Sequence, residues 1–489
     1  MDEATRGPDN NNTMETEPRV APEIPSNHLP PVIYRDLPEA PPFRRILGPG
    51  AVLAAAGIGS GEFILWPYIA QQTGLALLWA ALFGTILMFF IATECVRYTL
   101  ATGETIITGF TRLWKPWSIG FVFLALVPNI WPGYATGAAT TMSFMLDGGN
   151  ILLMTVLGMG AIVLSLILAP VVYRVMEPAM VAMMAFMALF VVFAAGAVFV
   201  IQPGAWANIF TGIDEMGATS QRIPFAVLAG AVAFAGAGGT MVLMASNYIR
   251  EKNLGMGAYI PRIVSPITGK EEPGSTTGYF FPQDEKNLNR WRAWWRICNW
   301  EQFLTFFLLT IVSIVVMSAL AYVTVFGQDV GEGFDFIRAE GDALAAAFGG
   351  WFAYFFWGAG ALALFSTNLA VWDMIGRITA EGLKTSWLQR SSFWTESKIY
   401  AATIVMLFSF SVIVLASGLQ APLVLLVITA VLSGATSFVY CILIIQLNRF
   451  TLPDSVKMSN GRFAVMSIAV VSYLFFFVFT ILDLLGMVG

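Results

Sequence analysis

Histidine is almost missing: His28, in the N-terminal tail, is the only one in 489 residues. Cysteine is scarce as well. Cys95, Cys298 and Cys441 lie far apart without metal-ligand spacing and read as small apolar filler. Charged residues make up 12% of the chain, about half the share of an average soluble domain. No Walker loop, dinucleotide fingerprint or nucleic-acid motif occurs. Without histidine in the apolar region, no nucleophile–base pair or His/Cys cluster can be assembled. An enzyme is therefore not expected, and neither are catalytic residues, a nucleotide-driven motor or a nucleic-acid partner.

What is present is apolar. Hydrophobic residues reach 57%, gathered in runs long enough to span a bilayer, which takes about 20 residues for about 30 Å. Eleven helical runs are predicted at 46–73, 75–101, 116–146, 150–172, 174–201, 222–252, 293–326, 342–383, 395–417, 420–448 and 462–487; they are numbered helix 1 to helix 11. The fold class is an all-α polytopic membrane protein. Residues 1–45, rich in Pro, Glu, Asp and Asn, read as a disordered cytoplasmic tail. That tail lacks the apolar core of a signal peptide, so neither cleavage nor export is expected. The transmembrane domain covers 46–487, with a long loop at 250–296 inside it.

Lysine and arginine give the orientation. With the N-terminus in the cytoplasm, 24 of the 26 fall on the inner side, leaving only Arg222 and Arg338 outside. The positive-inside rule then predicts a multi-pass plasma or inner membrane protein with the C-terminus outside. The loop contributes eight basic residues and Trp291, Trp294 and Trp295, the composition of an interfacial amphipathic segment.

Two spans are poor continuous helices. Helix 1 carries Gly57, Gly59 and Gly61 within five residues, followed by Glu62, and helix 6 carries Gly236-Ala237-Gly238-Gly239-Thr240-Met241. Glycine destabilises a helix interior, and unwound backbone survives in a bilayer only where it is buried in protein or lines a cavity. Two glycine-interrupted spans separated by four others point to a 5+5 inverted repeat, with discontinuous helices 1 and 6 and the substrate between them. Close packing of small residues is the competing explanation.

Glu62 stands in the first break, and no Lys or Arg lies mid-span to neutralise it. An intramembrane carboxylate marks a pathway by default, so a bound cation or a proton is the expected partner. Helix 8 offers Ser366, Thr367 and Asn368 as oxygen ligands, and helix 6 offers Met241 and Met244 as soft thioether ligands. Met180, Met183, Met184 and Met187 on helix 5 read as filler. Substrate-binding candidates are Gly59, Ser60, Glu62, Gly239, Met241, Met244, Ser366 and Asn368, with Glu62, Met244 and Asn368 as metal ligands. Glu94 with Arg97 and Glu177 with Arg174 read as structural or helix-end ion pairs, and Asp373, four residues before Arg377, reads equally as a helix-surface ion pair or a functional carboxylate. The role of Glu301 stays open.

The run GPGAVLAAAGIGSGEFILWPYIAQQTGLALLWAALFGTILMFF followed by ATGETIITGFTRL resembles the opening of Nramp-type divalent metal transporters. Further echoes occur at Tyr173-Arg174 with Glu177, along helix 6, and from Gly376 to Leu383. The resemblance implies a leucine-transporter-like fold. The family's helix 1 motif Asp-Pro-Gly-Asn falls on Gly59, Ser60, Gly61 and Glu62, so its liganding Asp is replaced. Its helix 6 Met-Pro-His matches approximately Val242-Leu243-Met244, and its helix 8 Gln aligns roughly with Ser366. Transition-metal selectivity and proton coupling are therefore not carried over.

The leading expectation is secondary-active, alternating-access transport of a cation, most naturally a divalent metal ion. No resident cofactor is expected, because the metal is cargo. The expected partners are that ion or a small solute and the lipid bilayer; oligomeric state is not indicated. An amino-acid or organic-cation transporter, with Trp66, Trp131 and Trp372 lining a larger cavity, is the alternative. A non-transporting sensor signalling through the 250–296 loop is a third.

Overall fold

A computed structural model describes residues 19–168, 172–211, 223–260, 278–331, 333–485 and 487, with backbone alone at 172–175, 210, 211 and 484. Among them, ten helices are long and apolar enough to cross a membrane, from Pro49–Thr73 to Asn460–Asp483. The predicted helix 6 is not one of the ten, because it is split into Phe225–Ala233 and Met244–Glu251, each too short to cross alone. Helix 1 is central and helices 4 and 11 are peripheral: 94% of the apolar window of helix 1 is buried, against 22% for each of the others.

Several predicted boundaries move. The run 342–383 is two helices, Asp335–Phe348 and Gly350–Ser386, separated at Gly349 with φ +94. An alanine-rich stretch continues the apolar pattern across this joint, and only the positive φ, which glycine adopts freely, reveals it. Helix 3 is interrupted between Trp117–Asn129 and Gly133–Met145, next to Pro128 and Pro132. Helix 7 begins early, at Glu285, with Asp284 accepting from the Asn287 amide as its N-cap.

Residues 19–45 correct the expectation of a disordered tail. Ala21, Ile24, Leu29, Val32 and Leu37 are buried, and strand β1 (Ile33–Tyr34) pairs in parallel with β2 (Tyr279–Phe280). This arm cannot bury enough apolar surface by itself, but it borrows surface from the 250–296 loop and the head of helix 7. The Trp294 indole donates to the Pro38 carbonyl at 2.8 Å, and the Leu37 amide donates to Asn287 Oδ1 at 2.8 Å. Trp291 and Trp294 are accordingly buried in protein rather than lying free in an interface. Residues 261–277 of the loop lie outside the described residues.

The basic segments converge on the end of the bundle where the arm packs. Arg112 pairs with Glu104 at 2.6 Å and donates to the Pro25 and Pro30 carbonyls. Arg97 binds Glu94 and the Val456 carbonyl, while Arg462 reaches Glu94 from helix 11. The opposite end holds Arg338, paired with Asp147 at 3.8 Å; Arg222 lies outside the described residues.

Candidate cation site at two interrupted helices

Helix 1 runs as Pro49–Gly57, opens at residues 58–60, makes a wide turn over Gly61–Leu65 and resumes at Trp66–Thr73. The wide turn is a π-turn, a form that recurs at functional sites. Helix 6 stops at Ala233 and restarts through a tight turn at Gly239–Leu243. Gly236 and Gly239 sit there at φ +104 and +60, which L side chains rarely tolerate. The two openings meet. A Cβ at Gly57 would lie 3.0 Å from the Gly236 carbonyl carbon, and one at Gly61 would strike the Phe234 carbonyl oxygen. Glycine here serves both explanations raised by the sequence: it permits the break and it permits the close approach.

Breaking a helix exposes carbonyls that must be satisfied inside the bilayer. Helix 8 supplies donors: Thr367 Oγ1 donates to the Ala56 carbonyl at 2.8 Å, and Ser366 Oγ shares its proton between the Ala363 carbonyl at 2.8 Å and the Ala55 carbonyl at 3.2 Å. Both hydroxyls cap the last turn of the first half-helix. Their lone pairs remain available, but each proton is committed to backbone.

Glu62 is fully buried, and neither carboxylate oxygen has a hydrogen-bond partner of ordinary geometry among the described residues. The Gly236 backbone of the second break lies beside it. Ser60 is next to Tyr134 of helix 3, and the Phe63 ring packs on Phe356 at 5.3 Å between centroids. Gly59 abuts Thr367 Oγ1 and the Ala363 carbonyl. Gly239 abuts Ser433 of helix 10. Met241 and Met244 are buried in the restarting turn, beside Thr240, which donates to Met374 Sδ at 3.5 Å. Asn368 is buried with Nδ2 unpartnered. It lines a cavity of about 250 Å³ with Ala135, Thr155, Met159 and Phe365, on a different side of helix 8 from the hydroxyls that cap helix 1.

Several other buried charges have partners of opposite sign. Asp373 and Arg377 do pair, at 2.8 Å, but in the core rather than on a helix surface, with Glu251 and the Tyr400 hydroxyl completing the network. Glu381 collects Thr105, Thr108, Asn247 and Arg250. Glu177 pairs with Lys252; the Arg174 side chain lies outside the described residues. Helix 7 adds two groups that sequence reading passed over. Thr310 and Ser313 are fully buried with unpartnered hydroxyls, whereas Thr305 and Thr324 of the same helix bond to carbonyls one turn back. Their spacing of three residues on one face was the available signal.

Two half-helix pairs meeting around a lone buried carboxylate, inside a shell of long apolar helices, define a membrane transporter rather than an enzyme. Residues 50–483 match the family described as Natural resistance-associated macrophage protein-like. The chain belongs to this Nramp family. Nothing among curated proteins matches it. Among solved structures it is similar to a variant of the Eremococcus coleocola manganese transporter, with TM-score 0.66 at 14% identity over 92% of this chain and 90% of that one. The same transporter in complex with an aromatic bis-isothiourea substituted compound gives 0.63 at 15% identity, over 96% and 92%. MhsT in complex with L-phenylalanine gives 0.54 at 14%, over 88% and 97%. At these identities the likeness shows the shared fold, which is leucine-transporter-like, with helices 1 and 6 discontinuous.

Proposed function

We propose that the protein carries a divalent metal cation across the membrane by alternating access, with Glu62 as the charged ligand. One observation supports this above the rest: among the described residues, Glu62 is a fully buried intramembrane carboxylate with no side-chain partner or counter-charge, beside the Gly236 backbone, where two interrupted helices touch. Leaving a carboxylate uncompensated in this setting costs several kcal/mol, and a cation removes the penalty. Backbone carbonyls at the two openings are hard oxygen donors, as suits a partly hydrated divalent ion, although those of Gly57, Ser60, Gly236 and Gly238 already accept from nearby amides. Ser60, Gly59 and Gly239 line the same opening, Met241 and Met244 border it, and the lone pairs of Ser366 stand behind it. Asn368, facing the neighbouring cavity, joins the ligand set only after its side chain turns. The manganese cargo of the Eremococcus coleocola relative agrees with a divalent substrate, although this chain builds its site from different residues.

The split segment 225–251, counted as a crossing, makes eleven spans. The basic end is then cytoplasmic and the C-terminus outside, by the positive-inside rule. A proton on Glu62 would exchange for the arriving metal, coupling the two. The alternative of a larger organic substrate rests on Trp66, Trp131 and Trp372, of which Trp66 and Trp372 are buried and Trp131 is half-buried. The test is uptake and calorimetric binding by protein in liposomes, offered manganese, magnesium and amino acids. Metal binding that disappears in Glu62→Gln supports the proposal; metal binding unaltered by that change, or amino-acid uptake indifferent to metals, refutes it.

A further inference from the structure

Helix 1 begins against a carboxylate that the transport site does not use. Glu301, on helix 7 and 1% exposed, accepts from the Gly50 amide at 2.8 Å and from the Gly48 amide at 3.3 Å through Oε1. Its other oxygen accepts from Gln302 Nε2 at 3.0 Å, and Thr305 Oγ1, whose proton goes to the Glu301 carbonyl, lies 3.3 Å from Oε1. The first amides of a helix have no intrahelical acceptor and carry the positive end of its dipole, so an anion is the natural group to hold them. A second charge closes the clasp. Lys252, at the end of the lower half of helix 6, donates to the Leu47 carbonyl and pairs with Glu177 of helix 5. Helices 5, 6 and 7 thereby grip one turn of chain, and that turn is continuous with the half-helix Pro49–Gly57 that ends at the break.

The fit at Gly50 is tight. A Cβ at Gly50 would lie 2.8 Å from Glu301 Oε2 and collide with Thr305 Oγ1, so a methyl there displaces the side-chain ends that form the clasp.

We propose that Glu301 is the positioning residue that latches the inner half of helix 1 in its closed seat, and that releasing this latch opens the basic end of the transporter. The inference rests on the alternating-access reading only for its purpose, because the latch itself can be tested with no substrate present. Every residue of Pro49–Gly57 is buried in this structure, so a reporter there responds to unseating. Cys95, Cys298 and Cys441 are replaced by alanine, Val52→Cys is introduced, and labelling by a membrane-impermeant maleimide is followed in vesicles that expose the basic end.

The expected result is slow labelling with Glu301 intact, labelling at least tenfold faster in Glu301→Ala, and protection restored in Glu301→Gln. The glutamine still offers an oxygen to both amides. Should Glu301→Ala fail to fold, Gly50→Ala serves instead: its methyl wedges the turn off the carboxylate, and it should label fast with Glu301 present. The latch is refuted if the undocked variant stays as protected as the parent, or if Glu301→Gln labels as fast as Glu301→Ala. A parent that is protected yet moves no metal would overturn the proposed function and leave the latch standing.

Discussion

Thr367 on helix 8 donates its hydroxyl to the carbonyl of Ala56 at 2.8 Å, which makes helix 8 the cap of a helix that stops in the middle of the bilayer. Thr367→Val keeps the volume and removes the donor. The Ala56 carbonyl is then buried without a partner, at a cost of about 1–3 kcal/mol. The expected outcome is a lower melting temperature in detergent, with a smaller drop for Ser366→Ala because its hydroxyl lies nearer the Ala363 carbonyl, at 2.8 Å, than the Ala55 carbonyl, at 3.2 Å. Equal melting of Thr367→Val and the parent would show that the carbonyl finds another donor.

The sequence resemblance sets Gly59 against the liganding Asp of the family motif. The structure leaves no room for restoring it: a Cβ there would strike Thr367 Oγ1 and sit 2.8 Å from the Ala363 carbonyl oxygen. The backbone oxygen cannot rotate away. Gly59→Ala should therefore destabilise by about 1–3 kcal/mol through overpacking, and Gly59→Asp by more, without any gain in manganese affinity. Melting curves and manganese calorimetry on the two variants check both halves of this expectation.

The apolar runs announced the spans, and the glycine clusters announced both breaks, because bilayer length and helix propensity are local properties. Glu62 was legible for the same reason: no basic residue lies mid-span to neutralise it. What escaped depends on partners distant in sequence. Glu301 stayed open because its partners are the backbone amides of Gly48 and Gly50, more than 250 residues away, and an amide leaves no mark in a sequence. The arm was misjudged because composition reports whether a segment can fold alone, not whether it can fold onto a neighbour. The spacing of Asp373 and Arg377 leaves a surface pair and a buried role equally open, since the burial is set by Glu251 and Tyr400 from other helices.

Glu340 gives a pH prediction. It lies on the short helix Asp335–Phe348, outside the spans, where burial without a partner for Oε1 holds its carboxyl well above the usual carboxylate range. A carboxyl whose pKa is raised on folding binds more protons in the native state than in the unfolded one, so stability falls as pH rises above the unfolded value, about 4.3. Glu340→Gln removes that titration. The variant should melt higher than the parent at pH 8, and the gap should shrink as the pH approaches 5. A gap independent of pH would mean that this carboxyl stays ionised in the folded protein.

The arm's attachment separates buried polar contacts from exposed ones. Asn287 is fully buried; it accepts from the Leu37 amide at 2.8 Å and donates to Asp36 at 3.2 Å and Asp284 at 2.9 Å. Asn287→Ala strands the Leu37 amide, and an unmet buried group costs about 1–3 kcal/mol; the carboxylates of Asp36 and Asp284 reach solvent and lose less. Lys286 also contacts Asp36, at 2.8 Å, but with side chains 60% and 52% exposed, where an ion pair is worth about 0–1 kcal/mol. Limited proteolysis should therefore clip residues 19–40 much faster in Asn287→Ala and hardly faster in Lys286→Ala, while the spans stay intact in both. If the two variants are clipped alike, the arm is held by its apolar residues Ile24, Val32 and Leu37, and the hydrogen bonds to Asn287 only set its register.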